Sequence, residues 1–377
     1  MFNKSSAHKF VEIFIIFAIL VILLGKFFFS DANPLLLLSI YGISVTLFLW
    51  VTFMVAFLAY RDPYIVALKK EKQNKKVTNK KYFVSCMVAV RNEEGNISRC
   101  LDSLIRQTYK NKEIIAVNDA STDQTLKILK RYEKRGDIKL INLKKNVGKK
   151  KALGMALAIA KGEIFAHTDS DSVWESDAIA KMVKIFQYNK NVGAISGHGR
   201  ALNASKNLLT KMQDSWMEGQ FSIRKAFESV FGSVSCVSGP LALFRKEAIF
   251  NFIPAWEGDI FLGQEFKFAT DRTMTGFVLG GHIIGKELKK KYQNSPFIKN
   301  QDYPLKNWDV VYCKSAKSWT IVPETFSGLI KQQIRWKKSF IRNIFFYRII
   351  LLAQTITSGY CILCAHIICY SGAINSF

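Results

Sequence analysis

Residues 82–91 read YFVSCMVAVR, a continuous apolar run that ends in a charged residue. Such a run is typical of a β-strand that is buried on both faces of a sheet. Apolar residues then recur with helical spacing over residues 96–107, and a second apolar run occupies residues 113–118. The alternation continues through four segments, which are a helix after Ser121, a strand from Ile138, a helix from Gly148 and a strand from Glu163. It predicts an α/β fold with a parallel sheet and helices on both faces.

The composition indicates a folded protein with an anionic partner. The chain has 377 residues, of which 49% are hydrophobic and 22% charged, so it can bury a large core. It carries 54 Lys and Arg against 29 Asp and Glu, a net charge of +25. A surplus of this size predicts contact with nucleic acid, anionic lipid or a nucleotide. The 7 cysteines follow no framework spacing, which indicates reduced thiols.

Three apolar stretches, residues 13–30, 35–60 and 349–373, are long enough to cross about 30 Å of hydrocarbon. Basic residues flank the second and third stretches on the side of the central region, whereas the connection between the first two stretches carries none. By the positive-inside rule, the N-terminus and the central region are predicted to face the cytoplasm. A cleaved signal peptide is the alternative for the first stretch, but no clear small-x-small cleavage site follows it.

We therefore predict a multi-pass protein of the cell membrane, with the lipid bilayer as a partner. Its predicted parts are two transmembrane helices within residues 1–61, a cytoplasmic domain at 82–322, an interfacial amphipathic helix at 323–348 and a C-terminal transmembrane helix within 349–377. Much of the basic surplus is juxtamembrane, where anionic lipid attracts it. Nucleic acid is not expected, because the basic runs lack interleaved aromatic platforms. The sequence leaves the oligomeric state open.

Acidic residues stand where the predicted strands end, which is the edge at which open α/β sheets bind ligands. They are Glu93 and Glu94 after the first strand, Asp119 and Asp123 after the second, and Asp169 and Asp171 after the fourth. The chain contains neither a Gly-x-Gly-x-x-Gly nor a P-loop motif, so a nucleotide would be held through a metal. The Asp-Ser-Asp segment at 169–171 suits a hard divalent cation, Mg²⁺ or Mn²⁺, that binds a diphosphate.

Five further segments of the sequence are informative about function. They are VNDASTD at 117–123, NVGKKKAL at 146–153, CVSGPLALFR at 236–245, FLGQEFKFATDRTMT at 261–275 and QQIRW at 332–336. With the Asp-Ser-Asp segment, and in chain order, they resemble the motifs of family-2 glycosyltransferases with the GT-A nucleotide-sugar fold. The resemblance is closest to the membrane-embedded processive branch that contains hyaluronan, chitin and cellulose synthases. It implies a Rossmann-like GT-A domain inserted between transmembrane helices.

The resemblance also implies roles at a UDP-sugar donor site. Asp119 matches the residue that contacts uridine or ribose, although Asn118 stands where the family usually has its first Asp. Lys149 matches a contact to the diphosphate or the uracil side. In the Asp-Ser-Asp motif, Asp171 matches the direct metal ligand and Asp169 a substrate contact.

On the acceptor side, the resemblance implies that Asp271 is the general base and that the segment around Gly239 and Pro240 lines the acceptor pocket. The same resemblance implies substrate contacts by the Gln-x-x-Arg-Trp residues, which are Gln332, Arg335 and Trp336. Asp271 could also open a helix, a role that is compatible with catalysis. The sequence departs from the family pattern in two places. The polar stretch at 286–308 is longer than expected for a hyaluronan synthase. The chain also has a single C-terminal span, which predicts a minimal or truncated channel region.

The expected activity is inverting, metal-dependent transfer of a sugar from UDP-N-acetylglucosamine, with or without UDP-glucuronate, to the end of a growing polysaccharide. The resemblance implies that this transfer is coupled to movement of the product across the membrane. Two alternatives stay open, a chitin-like homopolymer synthase and a non-processive transferase that acts on a lipid carrier. A non-enzymatic membrane scaffold would not account for the carboxylates gathered at the strand ends.

Overall fold

The computed structural model describes residues 34–73, 80–268 and 270–354. The first predicted transmembrane stretch, 13–30, and most of the third, 349–373, lie outside the described residues. Among the described residues, one helical stretch, Ser39–Lys72, is long and apolar enough to cross a bilayer. It contains most of the second predicted span, and large apolar side chains such as Trp50 and Phe57 are exposed on it.

Thirteen α-helices are found in the described part of the chain. They are α1 (Pro34–Ala59), α2 (Pro63–Lys72), α3 (Ile97–Ile105), α4 (Thr125–Lys134), α5 (Lys149–Ile159), α6 (Ala178–Tyr188), α7 (Leu208–Gly219), α8 (Ala226–Val230), α9 (Lys246–Ile249), α10 (Ile253–Glu257), α11 (Thr270–Lys291), α12 (Pro296–Lys299) and α13 (Phe326–Gln354). A π-helical segment, Gln220–Lys225, joins α7 to α8, and a 3₁₀ turn, Phe250–Phe252, precedes α10. Helix α13 begins three residues after the predicted start of the interfacial helix and is continuous past residue 348.

The strands described are β1 (Val84–Val90), β2 (Lys112–Asp119), β3 (Lys139–Leu143), β4 (Ile164–Thr168), β5 (Val173–Trp174), β6 (Val192–Ala201), β7 (Ala242–Arg245), β8 (Ile260–Phe261), β9 (Gln264–Glu265) and β10 (Asp309–Thr320). Eight of them form one sheet in the order β3-β2-β1-β4-β7-β6-β10-β5, and β8 pairs with β9 in a separate hairpin. The predicted α/β fold is confirmed.

The sheet is mixed, whereas the sequence pattern predicted a parallel one. Strands β1 to β4 are parallel as expected, but β7 runs antiparallel between β4 and β6. Strands β4 and β6 both run antiparallel to β7, and β10 runs parallel to β6. The carboxyl ends of β4, β6 and β10 therefore lie at the same edge of the sheet as the carboxyl ends of β1 and β2. The amino end of β7, just after Gly239 and Pro240, therefore meets the carboxyl end of β4.

Two apolar clusters cover the two faces of this sheet. Helices α3, α4 and α6 bury Leu101, Leu129 and Met182 on one face. Helices α5, α10 and α11 pack on the other face, where Leu153 and Trp256 are fully buried. Burial of a large side chain of this kind stabilises the fold by roughly 1.5–3 kcal/mol relative to exposure. The sheet is therefore held rigidly from both sides, which fixes the positions of its strand ends.

Asp62 attaches the start of α2 to strand β10 of the sheet. Its Oδ1 accepts a hydrogen bond of 2.9 Å from the amide of Tyr64 and so caps α2. Its Oδ2 accepts two further bonds from Ser315 of β10, 2.7 Å from the amide and 2.8 Å from the hydroxyl. Beside it, the Tyr60 hydroxyl donates to the carbonyl of Tyr312 at 3.0 Å. One carboxylate thus caps a helix and pairs with a strand.

We predict that Asp62→Ala lowers the free energy of unfolding by about 1–3 kcal/mol, because donors from α2 and β10 lose a charged acceptor. The control is Glu71→Ala, which removes a half-exposed ion pair with Lys184 on α6 and should cost less than about 1 kcal/mol. Denaturant unfolding of the purified protein in detergent measures both. Equal losses in the two variants would contradict this account of Asp62.

Candidate active site

The Asp-Ser-Asp segment forms the turn after β4. Oδ1 of Asp171 accepts hydrogen bonds from the Thr320 hydroxyl at 3.0 Å and from the Ser172 hydroxyl at 3.2 Å. Burial, followed by the nearby charge of Asp169, raises the pKa of Asp171 to about 6. A carboxylate with a raised pKa beside a second carboxylate lacks full charge compensation. The site therefore favours a cation.

Lys149 supplies part of that compensation. It is the first residue of α5, and its ammonium group forms an ion pair with Asp169. Burial alone lowers the pKa of Lys149, but the carboxylates of Asp169, Asp271 and Asp171 together raise it to about 12. Gly148, with φ of 87°, makes the turn that delivers Lys149 to the carboxylates. The helix N-terminus adds further positive potential at this position.

Asp119 orders the segment that leads into this helix. Its carboxylate accepts hydrogen bonds from the Asn146 side chain at 2.7 Å, the Val147 amide at 2.7 Å and the Gly148 amide at 3.0 Å. These bonds hold the β3–α5 connection against the end of β2. The predicted contact between Asp119 and a nucleotide stays a prediction.

Gly239 lies between the two sides of the site. A Cβ atom at this position would stand 2.8 Å from Oδ2 of Asp169 and 3.1 Å from Oδ2 of Asp271, so a side chain would displace one of the carboxylates. The Gly239 amide donates to Oδ2 of Asp271 at 2.9 Å. The carbonyl of Pro240 accepts from the Trp174 indole at 2.5 Å and the Thr168 hydroxyl at 3.3 Å. The 238–241 segment thus brings the predicted donor and acceptor carboxylates together.

Asp271 lies in the first turn of α11. The Trp256 indole donates to the carbonyl of Thr270 at 2.9 Å and fixes the start of this helix. Burial raises the pKa of Asp271, Asp169 raises it further, and Lys149 opposes the shift. A carboxylate whose charge is poorly solvated binds a proton more readily than an exposed one. Asp271 is therefore suited to accept a proton.

The Gln-x-x-Arg-Trp segment occupies the second and third turns of α13. Gln332 is half-buried and Arg335 is exposed. The Trp336 ring stacks on Trp216 of α7, with ring centroids 5.9 Å apart and planes at 17°. One turn beyond Trp336, the guanidinium of Arg272 lies 6.0 Å from the centroid of the Phe340 ring. This contact places α13, which carries the Gln-x-x-Arg-Trp segment, against the residue that follows Asp271.

The other acidic residues predicted at the strand ends chiefly hold loops together, although the charge of Glu93 also raises the pKa of Asp171. The amide of Glu94 donates to Asp123 at 3.2 Å, and the Glu94 carboxylate accepts from the amide of Gln124 at 2.8 Å. Glu93 accepts from the side chain of Asn96 at 2.9 Å. These bonds tie the loops after β1 and β2 to each other and to α3. Strand ends alone could not separate loop-forming carboxylates from site carboxylates.

The carboxylates of Asp169 and Asp171 suit a divalent cation that also binds a ligand. Within the described residues, no group of three His, Cys, Asp or Glu side chains could hold a metal ion by itself. Asp169 and Asp171 provide two carboxylates at one turn, and Mg²⁺ is commonly bound by one or two carboxylates together with phosphate and water oxygens. The residues present are therefore sufficient only with a phosphate ligand.

Sequence reasoning missed Thr320 and Trp216. Thr320 joins Asp171 only because β10, far along the chain, ends at the same edge. Trp216 had a detectable signal, since Leu208, Met212 and Trp216 recur every four residues and all three are exposed on α7. The spacing indicates an apolar helix face beside α13.

Comparisons with known proteins agree with the sequence resemblance. The family model described as glycosyl transferase family 2 matches residues 85–250. A poly-β-1,6-N-acetyl-D-glucosamine synthase of Staphylococcus epidermidis is 29% identical over 253 residues, which are 67% of this chain and 53% of that protein. A hyaluronan synthase of Streptococcus pyogenes is 27% identical over 273 residues, 70% of this chain and 58% of that protein. This chain thus spans about half the length of the curated relatives it matches.

Among solved structures, a mannosyltransferase from Pyrobaculum calidifontis in complex with GDP-Man and Mn²⁺ is 19% identical. The match covers 88% of each chain with a TM-score of 0.48.

We predict that His167 makes the fold sensitive to acid. It lies in β4, and burial, followed by the Lys149 charge, lowers its pKa to about 3. The unfolded chain binds a proton here below about pH 6.5, but the folded chain does not, so stability falls as the pH falls from about 6.5 towards 3 by up to about 1.4 kcal/mol per unit. His167→Gln should flatten this slope in thermal melts, and half-exposed His282→Gln should flatten it less. Equal slopes in wild type and His167→Gln would contradict the assignment.

Proposed function

The chain carries a glycosyltransferase family 2 domain at residues 85–250, and on that premise we propose that it transfers sugar from a UDP-sugar to the end of a growing polysaccharide. The observation that carries this proposal is the convergence of Lys149, Asp169 and Asp271 around the backbone of Gly239. A donor diphosphate and an acceptor hydroxyl must meet in one place, and here the groups suited to each lie within one site.

On the donor side, Asp171 would bind Mg²⁺ or Mn²⁺ directly and Asp169 would contact the substrate. The bound ion would supply Lewis-acid stabilisation of the leaving diphosphate. Lys149 is a fixed positive group at the same place and would contact the diphosphate, and Asp119 would contact the uridine or ribose. Since Asp169 already pairs with Lys149, the donor would enter a site whose charges are preorganised.

On the acceptor side, Asp271 would take the proton of the attacking hydroxyl as the reaction inverts the anomeric centre. Its raised pKa supports this role, since a base with a higher affinity for a proton drives the transfer better. Gly239 and Pro240 would line the acceptor pocket. Gln332, Arg335 and Trp336 would contact the substrates from α13, where Trp336 offers an aromatic face to a sugar ring.

The sugar we propose is N-acetylglucosamine, with UDP-N-acetylglucosamine as the donor. The name of the Staphylococcus epidermidis relative supports this choice. The hyaluronan synthase relative favours a second candidate, in which UDP-glucuronate is also used. In both cases α1 would span the cell membrane, the domain at 82–322 would be cytoplasmic, α13 would lie at the membrane surface, and synthesis would be coupled to translocation.

We predict that membranes containing the protein incorporate radiolabel from UDP-N-acetylglucosamine alone into a polymer. The test offers UDP-N-acetylglucosamine, UDP-glucuronate, both together and other UDP-sugars, and then sizes and digests the products. Incorporation only with both sugars would replace the first candidate by the second. A single-sugar product on a lipid carrier would contradict polymer synthesis.

We predict that activity requires Mg²⁺ or Mn²⁺ and that Asp171→Asn lowers it to background, because the ligand to the shared cation is lost. The matched control is Asp177→Asn, which weakens a partly exposed ion pair with Lys181 of α6 and should leave activity within about twofold. Label incorporation is measured with metal and with excess chelator. Full turnover in chelator would rule out the metal role.

We predict opposite effects for substitutions on the two sides of the site. Asp271→Asn should lower transfer by about 10² to 10⁴-fold, the usual contribution of a general base, and change UDP affinity by less than about 1 kcal/mol. Lys149→Ala should chiefly weaken UDP binding, because it removes a charge-assisted contact. Calorimetry with UDP and polymer synthesis measure the two effects. Loss of UDP binding in a folded Asp271→Asn protein would assign this carboxylate to the donor side.

A further inference from the structure

A buried cluster of three charged side chains lies outside the residues assigned above. Lys150 donates to Oδ2 of Asp259 at 2.7 Å, and Arg342 forms an ion pair with Oδ1 of the same carboxylate. All three residues are buried, with relative exposures of 4% for Lys150, 4% for Asp259 and 6% for Arg342. Each oxygen of Asp259 thus receives one cation, so a single carboxylate joins two basic residues.

The three residues come from three different parts of the fold. Lys150 is in the first turn of α5, directly after Lys149. Asp259 precedes the β8–β9 hairpin, whose base is closed by a bond of 2.8 Å from the Phe266 amide to the Asp259 carbonyl. Lys150 also donates to the Phe266 carbonyl at 2.9 Å. Arg342 lies on α13, six residues beyond Trp336.

The cluster therefore forms a direct connection between the helix that carries Lys149 and the helix that carries the Gln-x-x-Arg-Trp segment. A second contact on α13, between Phe340 and Arg272, links the same helix to the start of α11. The two contacts lie within one turn of α13, at positions two residues apart that point in different directions, so together they fix both the position and the rotation of the helix. By contrast, the neighbouring pair Lys151–Glu265 joins α5 to the same hairpin at 2.6 Å but is half-exposed and does not reach α13.

We propose that the Lys150–Asp259–Arg342 cluster is a clamp that sets α13, and with it the acceptor-binding face of Trp336, at a fixed position over the donor site. The proposal rests on the function proposed above and makes Asp259 and Arg342 positioning residues for sugar transfer. Buried ion pairs contribute little net stability, because desolvation offsets their attraction, but they hold a defined geometry and are costly to break. The planar guanidinium of Arg342 also restricts how α13 can be oriented, because it donates its hydrogen bonds in fixed directions.

The clamp should affect two reactions of the same UDP-sugar donor differently: hydrolysis of the donor by water and sugar transfer to the polysaccharide. Transfer of the sugar to water needs the donor site alone, whereas transfer to the polysaccharide also needs α13 in place. A small displacement of a positioned reactant can cost about 10²-fold in rate. Loss of the clamp should therefore lower transfer to the acceptor far more than hydrolysis of the donor.

The test compares Asp259→Asn and the milder Arg342→Lys with wild type, with Glu265→Gln as the matched control on the same hairpin. Hydrogen exchange of residues 326–343 is measured without substrate, and UDP-sugar hydrolysis and transfer are measured side by side. We expect faster exchange in this segment, transfer lowered by about 10²-fold in Asp259→Asn and less in Arg342→Lys, and hydrolysis within about threefold of wild type. Glu265→Gln should match wild type in all three.

Unchanged exchange in residues 326–343 of Asp259→Asn would overturn the clamp. A proportional loss of hydrolysis and transfer would also overturn it, since a general loss of folded protein affects both reactions alike. Arg342→Lys keeps the buried charge and covers the case in which Asp259→Asn does not fold. If wild type neither hydrolyses nor transfers any UDP-sugar, the proposed function fails, and the exchange measurement alone then decides whether the clamp exists.

Discussion

The repulsion among Asp169, Asp171 and Asp271 is the constraint on which the site depends. Burial and mutual charge raise the pKa of Asp171 and of Asp271, so this arrangement needs positive charge nearby. Lys149 provides one cation, and its raised pKa shows that the carboxylates hold it in the charged form. Under the function proposed above, a divalent cation bound to a diphosphate would complete this charge balance and would place the leaving group where positive charge is most needed.

The antiparallel strand β7 makes that arrangement possible. A purely parallel sheet would bring only carboxyl ends of strands to the active edge. Because β7 enters from this edge, the turn at Gly239 reaches the end of β4 and lies against Asp169 and Asp271. The absence of a side chain at Gly239 is therefore a steric requirement rather than a need for unusual backbone angles.

The basic character of the chain has more than one structural role. Lys149, Lys150 and Lys151 are consecutive, yet they pair with Asp169, Asp259 and Glu265 respectively, at the donor site, in a buried cluster and on the surface. Helical geometry explains this division, since successive residues of α5 point about 100° apart. A run of three lysines thus reaches three separate carboxylates.

The sequence by itself determined the α/β alternation, the strand ends that carry Asp119 and Asp169, and the helix that begins near Asp271, because each depends on local spacing and the burial of nearby residues. Only the tertiary structure decided that Glu94 and Asp123 bind each other's loops, that Thr320 bonds to Asp171, and that Asp259 joins Lys150 to Arg342. These pairs are set by strand order and by helix packing across more than 80 residues of chain for Asp259 and Arg342. Such distant contacts leave no periodic signal in a single sequence.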